Sequence, residues 1–178
     1  METTWRTQGQ YYRAEAGLHW AQYDLDGRRV AIGSDWCCTP TPGELAEWDA
    51  TAPQIAARWA GRQSLLALPL YIRFGELPRS GHSVNHATGQ RERGVSCYEA
   101  QPDLASGGFI LAGTGLADAA IAAAFGLYGQ VALLITGEQC GYGSDGEPVV
   151  RKPRILARLV YDLASGAYMA QDVEVQHG

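Results

Sequence analysis

Lysine is nearly absent from this chain, and Lys152 is its only example. Basic character rests on arginine, whose planar fork suits carboxylate and phosphate better than an ammonium does. No run of basic residues occurs, and the formal net charge is -5. Both features argue against a protein that coats nucleic acid non-specifically. Cysteine is sparse: Cys37, Cys38, Cys97 and Cys140. None forms a Cys-x-x-Cys pair, so a zinc site has little support and no metal is expected. Adjacent Cys37 and Cys38 are poorly placed to bridge each other, and the expectation is free thiols in a reducing compartment. No stretch approaches the roughly 18–20 apolar residues of a membrane span. The opening METTWRTQGQYYR carries no apolar signal core. A cytoplasmic protein without membrane contact is therefore expected. Internal repeats, low-complexity segments and linkers are also missing.

What is present suits a globular fold. The 178 residues fall in the range of a single domain, 1–178, and 46% of them are hydrophobic. Asp26-Gly27 is a strong turn signal between strands at about Gly17–Leu25 and Arg28–Ser34. Thr41-Pro42-Gly43-Glu44 reads as a capping box with proline at the first helical position, opening a helix over Gly43–Asp49. A second helix start follows at Thr51-Ala52-Pro53-Gln54 and runs to about Ala60, with Gly61 as its cap. Trp48 and Trp59 are expected to pack inward. Ser64–Phe74 and Gln130–Gly137 read as central strands because they are apolar with little alternation. Leu116–Leu127 is apolar nearly all round, which predicts a buried helix capped by Thr114. Gly94–Ala100, Phe109–Ala112, Arg154–Asp162 and Ala167–Val175 complete the strands, and residues 1–10 are expected to fray. The sum is an α+β fold, with a mainly antiparallel sheet of six to eight strands and two or three helices grouped mid-chain.

The stretch Leu66–Tyr98 concentrates functional groups. Two apolar runs flank a polar loop, Gly75–Arg93, long enough to suggest a functional role. Arg73 lies in the first run, and Ser96 and Tyr98 in the second. His82, Asn85 and His86 lie in the loop. The glycines around them disfavour the helix on which a four-residue histidine spacing would hold a metal. His86 could act as a general acid or base near neutral pH. Asn85 and Thr88 could hold a ligand, and Arg79, Arg91 and Arg93 would favour an anionic one. Further on, Gly141-Tyr-Gly-Ser-Asp-Gly146 lacks the following Lys-Ser or Lys-Thr of a phosphate loop and reads as a turn. Cys97 and Cys140 sit in apolar strands and read as inert.

Arginine on an early strand, serine near a second and a late glutamate beside a third resemble the ADP-ribosyltransferase superfamily of the arginine–serine–glutamate type. Arg73 in LPLYIRFG, Ser96 in GVS, and Glu147 in GSDGEP or Glu138 in TGEQ carry the resemblance. The fragment LADAAIAAAFGLYGQVALLITG resembles that family's helix and following strand, and the likeness spans about Leu66 to Leu159. It implies NAD as the bound substrate. Arg73 would hold the phosphate side, while His86 and Tyr98 line the nicotinamide or ribose region with Asn85 beside them. Ser96 would orient the site. Glu147 would stabilise the positive charge that develops on ribose when the nicotinamide bond breaks. The implied partners are a nucleotide and a protein acceptor. Two other readings stay open: a non-catalytic binding protein using the 75–93 loop, and a small hydrolase with His86 as base.

Overall fold

The Asp24–Arg28 turn closes as its sequence predicts. The Asp24 carboxylate accepts the Asp26 and Arg28 N–H groups at 3.0 and 2.9 Å. Gly27 sits at φ +85°, and a Cβ there would lie 2.7 Å from the Pro53 Cα. Only glycine serves both the backbone angle and the close approach.

The computed structural model describes residues 2–36, 38–77, 82–84, 89, 91–112 and 117–171. They form two compact units. The first comprises residues 1–67 together with 102–107. Strands β1 (Thr4–Gln8), β2 (Tyr11–Ala16), β3 (His19–Tyr23) and β4 (Arg29–Ser34) make an antiparallel four-stranded meander. The expected fraying of residues 1–10 is overturned, because β1 pairs with β2 from Thr4↔Glu15 to Gln8↔Tyr11. The inward positions on β2 are Tyr12, Ala14 and Ala16, all buried. Two of the three are alanine, so the period-two signal is weak.

One helix, α1 (Pro42–Trp59), replaces the two expected. Thr41 Oγ1 accepts the Glu44 N–H at 3.1 Å, and the Glu44 carboxylate accepts the Thr41 N–H at 2.8 Å. The capping box is thus real. Pro53 does not break the helix. The Thr51 hydroxyl donates to the Glu47 carbonyl at 2.9 Å in the turn before it, and Trp48 and Ala52 before it and Ile55, Ala56 and Trp59 beyond it are buried. Burial of one apolar stripe outweighs a single lost helical hydrogen bond. Residues 102–107 complete this unit: Leu104 is buried, and its carbonyl accepts the Trp59 indole N–H at 3.3 Å.

The second unit comprises residues 68–101 and 108–178. Strands β5 (Leu70–Phe74), β6 (His82–Val84), β7 (Arg91–Arg93), β8 (Val95–Ser96), β9 (Tyr98–Asp103), β10 (Gly108–Leu111), β11 (Ala132–Tyr142), β12 (Pro148–Asp162) and β13 (Ala167–Ala170) belong to it, with the last residues of β9 passing into the first unit. Six are hydrogen-bonded in the order β11-β5-β9-β10-β13-β12, and β12 pairs back onto β11 to close the ring. The fold is α+β and mainly antiparallel, as expected. It has two α-helices and more strands than the six to eight predicted among the described residues. The extra strands are short. The loop expected over Gly75–Arg93 contains the β6–β7 hairpin, paired His82↔Arg93 to Val84↔Arg91. The Ser64–Phe74 strand begins only at Leu70, because Gln63–Ala67 is a 3-10 turn.

β11 and β12 form a long ribbon with bulges at Leu134/Ile135, Thr136/Glu138 and Gln139/Gly141. β12 carries Pro153 within its length and is longer than the Arg154–Asp162 strand expected. Bulges of this kind twist a ribbon and re-aim its side chains. Tyr71, Val95, Cys97, Leu133, Ile135 and Val150 form a buried cluster beside it. Helix α2 (Asp118–Leu127) is not the buried helix predicted, since Ile121 is its only buried residue and Leu127 is 87% exposed. Alanine-rich apolarity signals helix propensity as readily as burial. Thr114, its expected cap, lies outside the described residues. No described helix is long and apolar enough to cross a membrane.

Candidate functional site

Arg73, the neighbouring pair Ser96 and Tyr98, and Glu147 come from three separate segments and line one cavity of about 150 Å3 in the second unit. Arg73 is next to last on β5, opposite Leu133 of β11. Its guanidinium donates through Nη1 to the Ser96 carbonyl at 2.8 Å. Its Nε is buried and lacks a partner among the described residues. Ser96 ends β8, held by its pairing with Val149. A Cβ at Gly143 would stand 3.5 Å from the Ser96 hydroxyl and 3.0 Å from Asp145 Oδ1, so glycine leaves the turn room to approach the serine. Tyr98 opens β9 opposite Ile72, with its ring edge-on to Phe74 at 5.7 Å.

Glu147 leaves the turn that precedes β12. Its carbonyl accepts the Gly143 N–H at 2.8 Å, and the Gly146 N–H donates to the Gly143 carbonyl at 3.0 Å. Gly146 takes φ +82°. The turn reading of Gly141–Gly146 holds for its second half, whereas Gly141 and Tyr142 belong to β11. Glu147 also donates its N–H to Asp145 Oδ1 at 3.0 Å, which brings two carboxylates to one wall. Burial pushes the Glu147 carboxyl above its ordinary range, and the Asp145 charge adds to the rise. Burial also raises the Tyr98 phenol, helped by Glu147 and Asp145. The cavity therefore holds one guanidinium, two carboxylates and a phenol against the rings of Phe74 and Phe125.

Sequence reasoning missed Asp145, Phe74, Cys97 and Phe125 as parts of this wall. Asp145 was legible only as a turn residue, although its spacing of two from Glu147 is a usable signal. Phe125 was assigned to a core. Of the two candidate glutamates, Glu138 is exposed and pairs with Arg151 at 2.7 Å, so it is not part of the cavity. The Cys97 N–H donates to the Pro148 carbonyl at 3.0 Å, and burial pushes its thiol up to about 12. That favours an inert thiol over a nucleophile. Cys140 is half-buried, with its sulfur 3.4 Å from the Val149 carbonyl. Asn85, His86, Thr88 and Arg79 lie outside the described residues. Among the described residues no group of histidine, cysteine and carboxylate side chains is placed to hold a metal ion.

Comparison with protein-family models, with curated proteins and with solved structures finds no match to this chain.

Proposed function

We propose that the Arg73–Glu147 cavity binds NAD by its nicotinamide-ribose end and that the protein is ADP-ribosyltransferase-like. The observation that carries this is the meeting of Arg73, Ser96, Tyr98 and Glu147 in one cavity. Its volume, about 150 Å3, suits the reacting end of the dinucleotide and not the whole of it. Tyr98 offers a ring edge and a phenol to the nicotinamide. Arg73, which lines the cavity, faces the phosphate side with its guanidinium. Glu147 works as an anion, its charge placed where the ribose turns positive as the glycosidic bond stretches. Its carboxyl is raised, so turnover should climb with pH as that group ionises above the ordinary carboxylate range.

The test is thermal shift with NAD together with nicotinamide release, wild type beside Glu147→Ala. Stabilisation with Glu147-dependent release supports the transferase reading. The absence of any shift at millimolar NAD sinks it. One observation favours a second reading, a binding protein without chemistry: the Arg73 guanidinium already holds the Ser96 main chain. On that reading NAD stabilises the protein and Glu147→Ala changes nothing. The loop alternatives, a partner surface over residues 75–93 or a hydrolase using His86, predict loss of function on substituting Arg91 or His86 while Glu147 is dispensable.

A further inference from the structure

A second cavity, of about 290 Å3, is also lined by Phe74 and Phe125. Those two rings line both cavities, stacked at 4.3 Å between centroids and 9° between planes. The wall continues through Tyr168, edge-on to Phe74 at 5.7 Å, and Tyr161, edge-on to Tyr168 at 4.9 Å. The Tyr168 hydroxyl is committed to the Asp118 carbonyl at 3.2 Å, which fixes its ring. Gln130 and Val160 stand at the exposed rim. Among the described residues no charged side chain lines this compartment. The compartment sharing its wall holds two carboxylates against one guanidinium, and that guanidinium already serves the Ser96 carbonyl.

Aromatic rings attract cations through their faces, most strongly where water is scarce. A volume near the low end of ordinary ligand pockets admits a ring of one or two cycles. We propose that this compartment binds a planar aromatic cation. The ring lies against Phe125 and Tyr161, and the positive group sits at the shared Phe74–Phe125 wall, in the field of Asp145 and Glu147. Charge decides against an aromatic anion, which the two carboxylates of the adjoining cavity would repel across the shared rings.

The proposal does not depend on NAD chemistry, because its probes carry no ribose or phosphate. Binding of 1-methylquinolinium, a quaternary aromatic cation, is measured by calorimetry at pH 8 beside neutral quinoline of nearly the same shape. The expected result is saturable one-to-one binding of the cation at sub-millimolar concentration, about tenfold tighter than quinoline. Ala122→Phe, which fills the compartment from α2, should abolish binding of both. Val160→Trp at the rim repeats the block if the first variant unfolds. Asp145→Asn combined with Glu147→Gln should remove the cation's advantage and leave quinoline binding unchanged. Equal affinity for the two probes, binding that survives both blocking variants, or no saturable binding by folded protein would each overturn the inference. Cation binding without nicotinamide release from NAD would leave it standing while the transferase reading fell.

Discussion

The two units differ in how completely they cover the rings that matter most to each, although the second also buries Phe109 and Tyr168 fully. In the first, Trp48, Trp59, Tyr12 and Tyr23 are fully buried. Three of the four have a side-chain partner: Trp48 the Thr3 hydroxyl, Trp59 the Leu104 carbonyl and Tyr23 the Asp49 carboxylate. In the second, Phe125 and Tyr161 are half-exposed and line cavities, with Phe74 and Tyr98 beside them. One helix laid on a meander covers its rings completely. The closed sheet and α2 of the second unit leave the rings of Phe125 and Tyr161 only partly covered. The same residue type becomes core in one place and cavity wall in the other because of what covers it.

Substitutions can break or sharpen that contrast. The largest effect belongs to Trp59→Ala, which opens a cavity in the first unit and removes the donor to Leu104. A loss of about 3–5 kcal/mol is expected in urea unfolding. Gly27→Ala comes next, at about 1–3 kcal/mol, since it strains a positive φ and drives a methyl group into Pro53. If Gly27→Ala were neutral by the same measurement, the close approach of the turn to α1 would be disproved. Phe125→Ala removes a ring of the same chemical kind from a half-exposed wall. It should cost only about 1 kcal/mol while weakening 1-methylquinolinium binding. A cost equal to that of Trp59→Ala would erase the distinction between core and wall.

The smallest effect concerns Glu147. Its carboxyl is raised in the folded protein, so the folded state holds its proton to higher pH than the unfolded chain does. Its contribution to stability is complete below the ordinary carboxylate range and is lost as pH rises through the folded value. Glu147→Gln should flatten that slope in thermal unfolding recorded from about pH 4 to about pH 7. Parallel wild-type and variant curves would mean that the carboxyl is solvated.

Legibility in the sequence followed the strength of local signals. Asp26-Gly27 and Thr41-Pro42-Gly43-Glu44 are short-range devices in which each residue satisfies a neighbour's backbone, and both appear as expected. β1 and β2 were harder, because small residues occupy the inward positions. Pro53 misled because a proline is a local rule and helix burial is a tertiary fact. Arg73, Ser96, Tyr98 and Glu147 were found through their order along the chain, and the structure brings them together. Asp145 and Phe125 were not found. A turn carboxylate and a phenylalanine on an alanine-rich helix acquire meaning only once the β11–β12 turn and α2 bring them to one cavity.

The first unit is not one stretch of sequence. Residues 102–107 are required to finish what residues 1–67 begin. A ribosome delivers α1 and the meander some forty residues before it delivers Leu104 (67 to 104 spans 37 positions). Until then the Leu104 carbonyl that accepts the Trp59 indole N–H is not yet made, and the face that Leu104 covers is open. Synthesis therefore imposes an order: the meander and α1 emerge first, and closure waits until β5 to β9 have emerged. A chain cut after Ala67 would carry every strand of the meander and still lack the residue that covers its helix.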